Sequence, residues 1–269
     1  MARSDLVEYM NGFVGFLKAN FFIFLTGTLM GKMMEITNGA KAIAKMIVKF
    51  LGKDKALISI PLACGILAYG GVSVFVVSFA VFPIALEVFK QADLPRNYIP
   101  AALTFGCSTF AMVAPGAPQI HNAVPAQILG TTIMAGAING FLSCLVMLIL
   151  GSIILYRMVA SEKKKGAHFV AKPTDKFHDD VKLPSGIVAL IPIIISIFLI
   201  NGKIGGKAIA PIEVGVFVGA LLTYLLLNKY QNNSEIISHI GEACKTTVMS
   251  ICSTCAVVAF GTVVQATPA

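Results

Sequence analysis

The chain is 269 residues long, 57% hydrophobic and only 13% charged, with a mean hydropathy of +0.83, a composition that excludes an ordinary soluble domain. Its formal net charge of +8 does not point to nucleic acid. The basic residues lie in short segments between apolar stretches, where the positive-inside rule accounts for them, so the expected class is an all-α, polytopic integral membrane protein in a lipid bilayer.

Residues 1–11 are polar and lack the short apolar core and small-residue cleavage site of a secretory signal. Residues 13–34 are apolar apart from Lys18 and Lys32, long enough to span. In 38–51, Lys41, Lys45 and Lys49 mark one face and Ala42, Ile43, Met46, Ile47 and Phe50 the other, the pattern of a helix lying in the interface. Residues 56–86 are uncharged, but Gly70-Gly71 divides them into halves that contain Pro61 and Pro83. Each half is short for a span of about 20 residues. Lys53 and Lys55 precede the segment and Lys90 and Arg96 follow it, which puts both ends on the cytoplasmic side. The segment 56–89 is therefore predicted as a re-entrant hairpin with its tip at 69–73; two very short complete spans are the alternative.

From Asn97 through Tyr156 there is no Asp, Glu, Lys or Arg, yet the stretch contains Ala114-Pro115-Gly116-Ala117-Pro118-Gln119-Ile120-His121-Asn122. Pro115 and Pro118 each remove a backbone donor and push the preceding residue out of the helical region, and Gly116 permits dihedrals that other residues avoid. A broken helix is predicted over 97–129 and a returning span over 131–156. Irregular backbone at bilayer depth survives only where protein or a water-filled cavity satisfies its polar groups, and such breaks are where transporters bind solutes. The run is thus the predicted functional centre.

A polar cytoplasmic loop follows at 159–183, with His168, His178, Asp175, Asp179 and Asp180. Its composition is that of a solvated linker, and nothing in it fixes metal-ligand geometry. Further spans are predicted at 184–200, 208–228 and 246–269, with Lys203 and Lys207 falling outside against the charge rule. The six cysteines lie in or beside apolar stretches and read as small buried hydrophobes. Cys252 and Cys255 have C-x-x-C spacing without His or acidic neighbours, so neither metal nor redox chemistry is expected.

An offset of 230 places Gly31 on Gly261, Glu35 on Gln265 and Thr37 on Thr267. By the predicted topology the first of these spans runs inward and the second outward, so the copies would be inverted, as in many secondary transporters. The domain division is then a first-repeat region at 1–158, the loop, and an incomplete second repeat at 184–269. A second hairpin and second broken helix would lie beyond it, so the chain reads as an internal fragment that would not transport by itself.

Gly31-Lys32-Met33-Met34-Glu35, Tyr69-Gly70-Gly71-Val72-Ser73-Val74-Phe75-Val76-Val77, and the run 114–122 with Pro125 and Gly130-Thr131-Thr132 together resemble the gluconate permease family of the ion-transporter superfamily. The resemblance extends over nearly the whole chain. It implies proton-coupled uptake of gluconate or a related small hydroxy- or sugar acid across the bacterial inner membrane, with sodium as the alternative coupling ion and no cofactor. It also implies two inverted repeats, each with a re-entrant hairpin and an interrupted helix, with substrate between their tips; a homodimer is the candidate assembly. The run differs from the family's pattern at His121, where glutamine is more common, and at Ala117, where threonine or serine is usual. It is as close to a hydroxybutyrate-permease branch as to the gluconate branch.

An anionic substrate at bilayer depth needs compensation, and the chain has no Lys or Arg there. Backbone N–H groups near Gly70, Gly71, Val72 and Gly116 are the candidates, aided by half-helix N-termini each equivalent to about half a positive charge. Ser73, Gln119 and Asn122 are candidate contacts for hydroxyls or the second carboxylate oxygen, and replacing Gln119 or Asn122 is expected to impair uptake more than folding. The same residues serve equally well as turn-formers and caps. His121 is a candidate proton carrier or hydrogen-bonding group; Glu35 and Glu87 are the other coupling candidates. Re-entrant glycine loops also build channel filters, but those usually set several copies around an axis. No H-E-x-x-H, no acidic pair within a span and no serine with a basic partner suggests an enzyme.

Overall fold

The protein's structure, a computed structural model, describes residues 2–52, 55–72, 74–172, 182–205, 207–231 and 235–266. Ser73 falls outside this set. Helices account for most of it: α1 (Ala2–Ile36), α2 (Gly39–Leu51), α3 (Ala56–Tyr69), α4 (Val74–Gln91), α5 (Ile99–Met112), α6 (Ile120–Ile128), α7 (Ala137–Lys164), α8 (Gly186–Asn201), α9 (Ile212–Leu227) and α10 (Ile236–Ala266). Among the described residues, four stretches are long and apolar enough to cross a membrane: Leu6–Ile36, Ala137–Lys164, Ile212–Tyr230 and Ile236–Ala266. The Gly-rich turn between α8 and α9 is a two-residue β-ribbon pairing Lys203 with Ala208 and Ile204 with Lys207.

Hydropathy alone misplaced several helix limits. The helix that holds the first span begins at residue 2, and that of the last at 236, ten residues earlier than its uncharged part suggested, because charged side chains on a helix end that reaches water carry no desolvation cost. Residues 267–269 lie outside the described set. Helix α7 runs on to Lys164, so 159–164 are helical, whereas 131–136 are turns. The amphipathic α2 differs more. Ala42, Ile43 and Ile47 are buried against α3, α8 and α4 in the main core, so the helix seats its apolar face on protein, not on lipid; Phe50 alone of that face stays 89% exposed.

Long-range contacts sort the helix ends into two groups. At one end Asn38 Nδ2 donates to the Tyr230 carbonyl at 3.1 Å, His168 Nδ1 to Asp93 Oδ2 at 2.8 Å, and Lys32 Nζ reaches Glu242 Oε2 at 2.7 Å. This end gathers α2, the open end of the α3–α4 hairpin, the start of α5 and α8 and the end of α7 and α9. It also holds Lys45, Lys49, Lys55, Lys163, Lys164, Lys165, Lys229 and Lys245. At the other end Thr262 Oγ1 of α10 donates to the Glu8 carbonyl of α1 at 3.2 Å.

Inside lipid, apolar burial gains little by transfer, and close packing of small residues holds helices together. Helix α5 crosses α3 at Gly106, where an added Cβ would lie 2.1 Å from the Pro61 carbonyl oxygen. The most extensive helix contact is α1 with antiparallel α10. There α10 buries Ala243, Thr247, Ile251, Cys255 and Ala259, one every four residues, the ridge spacing of a helix seam. Thr247 and Thr28 hydrogen-bond across it.

Outside the membrane-spanning segments, Asp93 ends α4 with a left-handed φ of 48°. The hydrogen bonds from His168 and from the Phe169 N–H, at 2.8 and 3.0 Å, hold its carboxyl below the usual carboxylate range.

Candidate functional site

Helix α3 stops in a Schellman motif. The Val72 N–H bonds the Leu67 carbonyl at 3.2 Å and the Gly71 N–H bonds that of Ala68 at 3.0 Å, with Gly71 at φ 91°, the left-handed position that favours glycine. Gly70 is needed for a different reason. A Cβ there would sit 2.4 Å from Ile193 Cγ2 of α8, so one glycine sets the turn and the other admits a neighbouring helix.

The break in 113–119 lies against this tip. Gly116 takes φ 85° and its N–H donates to the Ile133 carbonyl at 2.9 Å. The freed carbonyls of four consecutive residues each accept from a side chain. Asn122 Nδ2 donates to Ala114 at 2.9 Å and to Ala117 at 3.3 Å, the Tyr69 hydroxyl to Pro115 at 3.0 Å, and Asn201 Nδ2 to Gly116 at 3.0 Å. Gln119 reaches the opposite way: its Nε2 donates to the carbonyls of Ala68 at 2.7 Å and Val72 at 3.3 Å. It thereby caps the C-terminal end of α3, and its own helix α6 gains no side-chain cap from it. Buried irregular backbone requires this kind of satisfaction.

Two helices end at this junction and two begin. The carbonyl-rich ends are those of α3 and α5; the N-termini are those of α4 at Val74 and α6 at Ile120. First-turn amides of a helix have no intrahelical acceptor. Side-chain donors thus offset the end of α3 and the carbonyls just beyond α5, while among the described residues the start of α6 has no side-chain cap, and no Lys or Arg occurs in 56–86 or 97–156.

Of the residues singled out from the sequence, Gly70, Gly71, Val72, Pro115, Gly116, Pro118, Gln119 and Asn122 come together here. Pro118 approaches within 3.1 Å of where a Gly71 Cβ would be. His121 is exposed on the first turn of α6, and among the described residues no side-chain hydrogen bond ties it to the junction. Glu35 is remote, at the basic end of α1, 3.2 Å from Lys32. Asn201 and Ile193 were not foreseen. Asn201 closes an apolar run and so read as a boundary; its partner Gly116 is 85 residues away, beyond any local signal.

A helical membrane protein with a glycine-tipped helix hairpin docked on a capped helix break has the architecture of a solute transporter. The sequence matches the GntP family permease over residues 1–267, and the chain belongs to that permease family, transporters and not enzymes. Similar proteins include the uncharacterized transporter YxjC of Bacillus subtilis (strain 168), 39% identical over 148 residues, which cover 55% of this chain and 31% of that protein. Another is an uncharacterized transporter of Haemophilus influenzae, 27% identical over 253 residues, covering 91% of this chain and 57% of the relative. The chain thus spans about one third to just over half of the length of these curated relatives.

Proposed function

We propose that this chain supplies one half of the substrate site of a proton-coupled symporter for gluconate or a related small hydroxy- or sugar-acid carboxylate such as hydroxybutyrate. The observation that carries the reading is the junction of hairpin tip and break, where Gln119 caps the C-terminal end of α3 and Asn122, Tyr69 and Asn201 satisfy the carbonyls of the break, while α4 and α6 start beside it. That polarity suits a carboxylate. The amides of Gly70, Gly71, Val72 and Gly116, the donors expected from the sequence, are committed to the carbonyls of Ile66, Ala68, Leu67 and Ile133, so the first-turn amides of α4 and α6 bind the carboxylate. Gln119 and Asn122, whose N–H groups are committed to backbone carbonyls, present their amide oxygens to substrate hydroxyls.

The α3–α4 hairpin is read as re-entrant from the basic side, which is the cytoplasmic side of a bacterial inner membrane by the charge rule. Inverted repeats are supported by α1 and α10. They run antiparallel, and the offset of 230 places Gly31 of α1 on Gly261 of α10 and Glu35 on Gln265. The test is uptake of radiolabelled gluconate and 3-hydroxybutyrate into proteoliposomes holding the whole transporter chain, with and without a pH gradient and in sodium-free buffer. Saturable, gradient-driven uptake that deoxy analogues compete for poorly is expected. Absence of saturable uptake of either acid refutes the substrate class, and dependence on sodium refutes the coupling ion.

A further inference from the structure

The α1–α10 seam ends, on the basic side, in a cluster that the junction does not use. Lys32 Nζ of α1 lies 2.7 Å from Glu242 Oε2 of α10 and 3.2 Å from Glu35 Oε1. His239, one turn before Glu242, has its Nδ1 3.7 Å from the same Glu242 oxygen. The Lys32 and His239 side chains are only 16% and 17% exposed. Both ring nitrogens of His239 are buried and, among the described residues, neither has a hydrogen-bond partner.

Within the contact set one ammonium meets two half-exposed carboxylates, and a proton on His239 would place a second positive charge beside Glu242. Histidine is the side chain that ordinarily changes charge near neutrality. The other charged groups nearby are Glu235, which precedes α10, and Lys245, one turn beyond Glu242 and exposed. The turn after α9 adds Tyr230 and Lys229, whose ammonium lies over the Tyr230 ring at 5.5 Å.

We propose that this cluster binds the coupling proton, with His239 taking it up and Glu242, held by Lys32, stabilising the imidazolium. The assignment rests on the proton-symport reading above. It gives the proton a counter-ion, which His121 lacks in a stretch with no charged residue from Asn97 to Tyr156. It also gives the proton a route to the site. Farther along the same seam, Phe24, Ile251 and Cys255 form a small core against which Ile120 packs, and Ile120 follows Gln119 at the start of α6. A charge change that tightens or loosens α1 against α10 therefore acts on the surface that seats the break.

The test uses the whole transporter chain in proteoliposomes with radiolabelled gluconate and 3-hydroxybutyrate. In His239→Gln, accumulation driven by the pH gradient should fall about tenfold or more and lose its pH dependence. Glu242→Gln should move the pH profile of accumulation to lower pH, since the proton loses its counter-ion. A His239→Gln transporter that keeps the wild-type pH profile overturns the assignment. So does loss of monodisperse protein in detergent together with accumulation in both variants, which would make the cluster structural. Failure of the symport reading shows separately, as wild-type uptake indifferent to the pH gradient.

Discussion

Asn122→Ala is the substitution that best tests how the break is held. Its single amide group serves the carbonyls of Ala114 and Ala117, residues that are 1% and 0% exposed, so water cannot replace it. A buried acceptor left without a donor costs about 1–3 kcal/mol, hence about 2–6 kcal/mol for the pair. At roughly 2–4 °C per kcal/mol for a chain of this size, melting should fall by roughly 5–20 °C. Gln119→Ala is the internal control. Ala68 loses the Gln119 bond but keeps that of the Gly71 N–H at 3.0 Å, so the loss is that of one buried acceptor, the Val72 carbonyl held at 3.3 Å, about 1–3 kcal/mol against two such acceptors in Asn122→Ala. The sequence alone pointed to a loss of uptake in both variants with folding spared; the structure shifts the expected loss for Asn122 toward folding. The assay heats detergent-solubilised protein and finds the temperature at which half remains monodisperse. If Asn122→Ala melts no lower than Gln119→Ala, the carbonyl-capping account of the break is wrong.

The two hairpin glycines should separate by rescue. Gly71→Ala forces a side chain into left-handed backbone at roughly 1–2 kcal/mol with no second-site remedy, whereas the clash of Gly70→Ala with Ile193 should be relieved in the double variant with Ile193→Ala, read as recovered melting temperature. Gly106→Ala should abolish monodisperse protein outright, because its Cβ would meet the Pro61 backbone and no side chain can yield; Gly151→Ala, which meets the Phe105 ring at 2.3 Å, should recover with Phe105→Leu. For Asp93, the folded carboxyl titrates below its unfolded value, so its contribution is present above about pH 4 and is lost as pH falls through the folded value. Hydrogen exchange at the Phe169 amide, corrected for intrinsic rate, should show protection that fades in acid in the wild type and is weak at every pH in Asp93→Ala.

Much of the architecture was legible along the chain, because what breaks a helix is local. Pro115, Gly116 and Pro118 interrupt it through their own rings and dihedrals, and Gly70-Gly71 end α3 through a motif completed within six residues. The apolar spans were legible for a similar reason, since a bilayer tests each residue's transfer cost one at a time. Helix limits at Ala2, Lys164 and Ile236 were not, because hydropathy marks where lipid ends and not where hydrogen bonding does. What a side chain does in the fold was decided only by tertiary structure. Gln119 lies beside the break but caps α3, Asn201 holds Gly116 from another helix, and Glu242 meets Lys32 across most of the chain. Likewise, α2 carries the pattern of an interfacial helix, yet its apolar face is covered by α3, α4 and α8. Amphipathic spacing specifies that a face must be buried; whether lipid or protein buries it depends on which elements the rest of the chain brings alongside.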